Sequence, residues 1–329
     1  MNDFLDDAFE GSKRPEASQT IAIANAITYA KTNLSLVEQK VVAIALARLR
    51  WKNSPDEQSR VIRLEKREIA EALRYKSSAS DLSQNLWKKI RHLPEHSSLE
   101  WSESDREKYQ VCNGKFIERI EMPTRARYIE LTFAQPYFWL FTGLQSKYCT
   151  LWVPDLLSMT SSRSIAAYVL MRKKSYEPYA DGEDQFSIKV GTKYIKQLFG
   201  MSKHSYMRTT GFNRNTFEHR VLDPVCRDLL SCQLVQLVQQ PNGRPYEKLK
   251  QGASVVGYKI SWRVAKRLPG GEDKGLPEKS PKTGEERQHP KHQSAKPKGS
   301  FYQGMQHNYD YEDIWEKAIV VDMKKIDSH

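Results

Sequence analysis

An order of strand, helix, second helix and β-hairpin occurs twice in this chain, with starts about 125 residues apart. The first copy runs from Val61-Ile62-Arg63-Leu64 through helices over 65–73 and 80–93 to strands near 116–120 and 128–133. The second runs from Phe186-Ser187-Ile188-Lys189-Val190 through helices over 193–199 and 212–230 to strands over 234–238 and 255–262. In each copy the second helix carries Lys, Arg or Asn on its polar face. That is the outline of a winged helix-turn-helix, the arrangement that sets a helix in the major groove of DNA. The spacing repeats and the residues do not, so the repeat is architectural. The expected class is therefore α+β, as two tandem winged-helix domains followed by a disordered C-terminal tail.

Charge supports a polyanionic partner. The 329 residues sum to a formal +12, with a pI near 9.3. Lys and Arg near phosphates release condensed counterions, which favours nucleic acid. The excess is local: 60–92 holds nine Lys/Arg against four Asp/Glu, and 203–227 holds five against two. Both windows contain a proposed second helix.

Boundaries follow composition. Residues 1–18 are polar and acidic and read as a flexible tail. The first winged-helix domain is expected over 19–150 and the second over 151–264. Ser35-Leu36-Val37-Glu38 is a capping box that opens a helix to about Trp51, with Val41, Ala45, Leu46 and Leu49 inward. Leu82, Leu86, Ile90 and Leu93 keep helical spacing and leave Ser83, Asn85, Lys88, Lys89 and Arg91 on other faces. Residues 94–114 are polar and read as a loop. The aromatic run from Tyr137 to Trp152 argues for burial between the two units. Residues 265–308 are rich in Pro, Gly, Gln and Lys, cannot offset their ordering entropy, and read as a disordered linker. Residues 309–329 regain apolar side chains and are expected to form a short C-terminal element.

The most specific stretch is Phe212-Asn213-Arg214-Asn215-Thr216-Phe217-Glu218-His219-Arg220-Val221-Leu222-Asp223-Pro224. Phe217, Val221, Val225 and Leu229 step by four and define a buried stripe. Pro224 falls inside that pattern, where it removes a hydrogen bond and clashes with an earlier carbonyl, so a bend is expected. A polar approach, 205–211, precedes this helix. A wing of 234–238 and 255–262, turning at Pro241-Asn242-Gly243-Arg244, follows it.

At these residues the chain resembles the replication initiators of iteron-containing, theta-replicating plasmids. The residues that carry the likeness are Leu198-Phe199-Gly200, Tyr206, Phe212, Arg220-Val221-Leu222 with Pro224, and Gly243-Arg244. Upstream, Asn25-Ala26-Ile27, Leu34-Ser35-Leu36-Val37-Glu38-Gln39-Lys40 and the segment Tyr128-Ile129-Glu130-Leu131-Thr132-Phe133 are similar to the family's opening helices and strand. The likeness covers about residues 20–264. Departures are Val225-Cys226-Arg227-Asp228-Leu229-Leu230 after the proline, Ala166-Ala167 before Tyr168, and about ten residues, 245–254, that lengthen the wing.

The resemblance implies a cytoplasmic DNA-binding protein without catalysis. It would bind double-stranded origin DNA at direct repeats as a monomer and help open an adjacent AT-rich region. It would recruit the host replication initiator and the replicative helicase. As a homodimer in equilibrium with the monomer, it would repress its own gene. The first domain would supply phosphate contacts and dimerisation, and the second most base readout. A dedicated winged-helix transcriptional repressor is the alternative.

Chemistry assigns roles to individual residues. Asn213, Arg214 and Asn215 start the helix, where Arg can take guanine and Asn adenine. Arg208 is expected on a base or a phosphate, Arg220 on a phosphate, with His219 nearby. Arg244 at the wing tip suits the backbone or the minor groove. Lys88, Lys89 and Arg91 suit phosphates.

Other classes find no support in the residues. The histidines form no His-apolar-His pair of the kind a metal-dependent DNA-nicking enzyme uses. The nearest phosphate-loop string, Gly252 to Lys259, lacks the Gly-Lys-Ser/Thr ending. The cysteines at 112, 149, 226 and 232 make no CxxC pair and read as small apolar residues of a reducing compartment, so neither metal nor cofactor is expected. No run approaches a membrane span.

Overall fold

The computed structural model describes residues 19–74, 86–123, 126–145, 148–175, 185–209, 211–241, 243–252 and 254–265. The expected tails and the element 309–329 lie outside these residues, as do Leu82, Ser83, Asn85, Thr124 and Arg125. The chain divides into two compact units. One comprises residues up to 100 together with 113–157, and the other comprises 101–112 together with 158 onward.

In the first unit, strand β1 (Thr20–Ala24) pairs antiparallel with β7 (Tyr148–Trp152). Helix α1 (Leu36–Leu46) begins at the predicted capping box: Ser35 accepts from the Glu38 amide and Glu38 reaches back to the Ser35 amide. It ends at Leu46, short of Trp51. Val41, Ala45, Leu46 and Leu49 are buried as the spacing requires. A three-stranded sheet, with β6 (Tyr128–Phe133) between β2 (Val61–Glu65) and β5 (Ile117–Glu121), forms the wing side. Helix α2 (Lys66–Ala72) follows β2 and buries Ile69. Helix α3 (Trp87–Arg91) lies in the second-helix position, with Leu86, Ile90 and Leu93 inward.

One expectation needs correction. Residues 94–114 are not a loop. They hold helices Leu93–His96 and Glu103–Tyr109 and the paired strands β3 (Ser98–Leu99) and β4 (Gly114–Lys115). Polar composition hid them, because the second helix is capped by Ser102 and buries only Asp105 among its own residues. The aromatic run also has partners inside the first unit: Phe138 and Phe141 pack on Phe133 at 5.8 and 5.5 Å, and Phe141 on Phe116 at 5.6 Å.

The second unit is organised by its longest strand, β13 (Ser254–Val264). One edge of β13 pairs with β8 (Gln185–Gly191). The other pairs first with β12 (Tyr246–Gln251) and then with β11 (Val235–Leu237). Strand β8 alternates exposed and buried, the signature of a half-covered sheet. Phe186 and Trp262 stack across β8 and β13, and the Trp262 indole N–H donates to the Ser175 hydroxyl. Helix Ser162–Lys174 precedes the sheet, and Thr192–Leu198 leads from β8 towards the second helix.

The wing differs from its expectation. The turn near Gly243-Arg244 joins β11 to β12 and is closed by Gln240 and Arg244 backbone groups. The hairpin tip lies instead at Gly252, whose φ of +58° suits glycine. The segment taken as a lengthening, 245–254, is largely β12. Its sequence, Tyr246-Glu247-Lys248-Leu249-Lys250, is too charged to advertise a strand.

Gly257 lets β8 approach β13, since a Cβ there would lie 2.5 Å from the Val190 carbonyl oxygen. Gly257→Ala is therefore expected to destabilise the chain by about 1–3 kcal/mol through overpacking. A denaturant midpoint equal to that of the unchanged chain would contradict this.

Candidate nucleic-acid interface

The helix that carries most candidate residues is not one uniform α-helix. It begins as Arg214–Phe217, opens into a π turn over Glu218–Leu222, and resumes as an α-helix over Asp223–Leu230. The Asp223 amide donates to the Glu218 carbonyl, five residues back. Pro224 then takes a first-turn position of the resumed helix, where its missing N–H leaves no gap. The interruption expected at the proline is thus a wide turn placed just ahead of it.

That turn also keeps the core stripe straight. In an α-helix, residues four apart drift by roughly 40°, so three steps would wander by roughly 120°. A wider turn takes back part of that drift. Phe217, Val221, Val225 and Leu229 are all buried. Asp228, also buried, accepts from the Thr160 amide at 2.8 Å and the Ser164 hydroxyl at 2.6 Å, which ties the far end of the helix to the start of Ser162–Lys174.

The polar approach folds as a small hairpin, β9 (Met207–Arg208) against β10 (Gly211–Phe212). Tyr206, at φ +60°, turns the chain into it, and its carbonyl accepts from the Asn213 amide. Tyr206 and Phe212 both pack against Phe217. The Arg208 side chain lies outside the described residues. Asn213 is the N-cap, its side-chain oxygen accepting from the Thr216 amide at 3.4 Å. Arg214 is half-buried and its Nε has no hydrogen-bond partner. Asn215, His219 and Arg220 are exposed.

Two carboxylates on the helix, Glu218 and Asp223, face the sheet. Five residues apart, they flank the single wide turn. Glu218 accepts from Lys248 Nζ at 2.7 Å and from the Tyr258 hydroxyl at 3.1 Å, and Arg244 Nη1 lies 3.5 Å away. Asp223 accepts from the Tyr246 hydroxyl at 3.0 Å. Arg244 is thus at the base of the wing beside Glu218 and not at its tip. Of the residues that fasten wing to helix, Tyr246 and Lys248 escaped the sequence reading because their strand did, and with them went the partners of Glu218 and Asp223.

In the first unit Lys88, Lys89 and Arg91 are exposed on α3. Lys88 and Lys89 border an open groove of about 520 Å³ at the amino end of α1, with Leu36, Val37, His92 and His96. Among the described residues no cluster of His, Cys, Asp or Glu could hold a metal ion, and no helix is long and apolar enough to cross a membrane. Cys149, Cys226 and Cys232 are buried, whereas Cys112 is exposed.

Both units thus have the elements of a winged helix, and the chain is a tandem winged-helix protein. Residues 20–172 match the family model described as initiator replication protein, WH1. The matched segment spans the described residues of the first unit and runs on into the start of the second. The fold is similar to that of the Pi initiator protein, whose crystal structure is of a complex with iteron DNA. The TM-score is 0.56 at 15% identity, over 76% of this chain and 99% of that one. A more distant likeness is to domains 2 and 3 of RctB, with a TM-score of 0.37 at 11% identity over 71% of this chain and 85% of that one. A comparison with curated protein sequences finds no match.

The clamp has a pH signature. Burial, then the Glu218 charge and hydrogen bond, hold the Tyr258 hydroxyl above its ordinary 10.0. Burial and the Asp223 hydrogen bond raise Tyr246 likewise. Burial, helped by Asp223, pushes the Cys226 thiol from 9.0 up to about 12. Each folded-state value exceeds the unfolded one, so the protonated form stabilises the fold below those ordinary values and the contribution is lost as pH rises above them. Unfolding free energy should therefore fall above pH 9 to 10, and Tyr258→Phe should make that alkaline fall shallower. Identical slopes for variant and parent would contradict the assignment.

Proposed function

We propose that this chain initiates plasmid replication by binding direct repeats in double-stranded origin DNA. The observation that carries this reading is a replication-initiator WH1 segment followed by a second winged helix that exposes Asn215, His219 and Arg220 on its recognition helix. The likeness to the fold of the Pi initiator supports it.

In this reading the second domain, over 151–264, reads bases. Asn215 takes adenine, Arg214 reaches a guanine from the helix start, and Arg208 takes a base or a phosphate. Asn213 caps the helix that presents them. His219 and Arg220 lie along the phosphates. The first domain, over 19–150, adds phosphate contacts from Lys88, Lys89 and Arg91 and supplies the dimer interface. Monomers bound to the repeats open the neighbouring AT-rich DNA and recruit the host initiator and replicative helicase. Dimers bind an inverted repeat and repress the gene. A footprint on DNA flanking the gene tests this directly: direct repeats beside an AT-rich stretch are expected. A single promoter palindrome would point to a dedicated repressor.

Two outcomes follow for binding. Asn215→Ala should weaken cognate binding by about 1–3 kcal/mol while random-duplex binding changes little. Equal losses on both duplexes would remove Asn215 from base readout. Salt should also act steeply: with roughly six to ten phosphate contacts, affinity should drop roughly 10³–10⁵-fold between about 50 and 200 mM. A flat titration of log affinity against log salt would exclude contact on that scale.

A further inference from the structure

Glu218 lies where a basic recognition surface would ordinarily avoid a carboxylate. It is flanked in sequence by the exposed His219 and Arg220, yet its own side chain is only 8% exposed. Its Oε2 holds Lys248 Nζ at 2.7 Å and lies 3.5 Å from Arg244 Nη1, and its Oε1 accepts from Tyr258. Lys248 and Arg244 both belong to the wing, and neither is fully buried: their side chains are 27% and 51% exposed. A carboxylate fixed by a buried phenol thus offers two solvent-reachable cations the same kind of partner that a phosphate would.

We propose that Glu218 is a specificity-determining residue that acts as an internal substitute for a DNA phosphate. It neutralises Lys248 and Arg244 in the free protein and on random DNA. It thereby holds the wing at a fixed spacing from the helix and keeps nonspecific affinity low. The π turn is what brings the carboxylate to this position, since Glu218 opens the turn and Asp223, which closes it, bonds Tyr246 on the neighbouring wing strand. A cation held this way adds little to phosphate binding until its carboxylate is removed. The inference rests on the DNA-binding reading and adds to it a restraint built into the protein.

The test compares Glu218→Gln with the unchanged chain by fluorescence anisotropy, on a duplex carrying the footprinted repeat and on a random duplex, across a salt series. Removing the charge frees up to two cations, and each added phosphate contact steepens the log–log salt slope by about 0.9. The slope on random DNA should therefore steepen by about 1–2, with affinity at low salt rising about three- to tenfold. The ratio of cognate to random affinity should fall. In a Lys248→Met background the same Glu218→Gln change should steepen the slope by no more than about 0.9, because only Arg244 remains to be released. Unchanged slope and ratio in a folded Glu218→Gln protein would overturn the proposal and leave Glu218 a packing partner.

A second measurement needs no variant. Lysine acylation of the unchanged full-length chain, read by mass spectrometry, should modify Lys248 several-fold more slowly than the exposed Lys250. Equal rates would overturn the restraint even where Glu218→Gln fails to fold. An unchanged chain that prefers no repeat over random DNA would instead contradict the initiator reading, and the acylation rates would still decide whether the clamp exists.

Discussion

A proline in the middle of a helix must be accommodated, and the accommodation at Pro224 shapes the second unit. An α-helix continued through it would lose a hydrogen bond and press the ring on the carbonyl of Arg220, at a cost of about 3 kcal/mol. The chain opens one turn to the five-residue pattern and restarts with proline in its first turn. Such single wide turns are frequent at functional positions. Here the turn has two consequences. It keeps the apolar stripe from Phe217 to Leu229 against the sheet, and it presents Glu218 and Asp223 to the wing.

From that turn the remaining packing follows. The wing is fastened to the helix by carboxylate–phenol and carboxylate–ammonium contacts, and the far end of the helix is fastened by Asp228 to the start of Ser162–Lys174. Charge-assisted hydrogen bonds of this kind are short and directional. They fix the helix at its middle and its far end and leave Asn215, His219 and Arg220 exposed. The first unit solves the same problem more simply, with a short helix whose Leu86 and Ile90 face in and whose Lys88, Lys89 and Arg91 face out.

The architecture was legible in the sequence because apolar periodicity and punctuation are local signals. The capping box at Ser35, the stripe through Phe217 and the strand from Phe186 all appear where the sequence placed them. What escaped was encoded by polar residues. The helix Glu103–Tyr109 buries little of its own surface, and β12 is half charged, so neither shows a hydrophobic period. Missing β12 misplaced Arg244 at a wing tip and hid the clamp around Glu218. The helix that carries the candidate residues was therefore legible, and its surroundings were not. On that helix Asn213 is the N-cap, and Arg214 is half-buried beside the exposed Asn215.

In the proposed function, the helix opened by Asn213 and interrupted by the π turn reads base edges from the major groove. Methylation interference tests it most directly, because dimethyl sulfate places a methyl group on guanine N7, in the path of such a helix. DNA flanking the gene should lose binding when particular guanines within each repeat are methylated, with the same positions recurring from repeat to repeat. Binding that tolerates N7 methylation throughout the repeats would contradict the account.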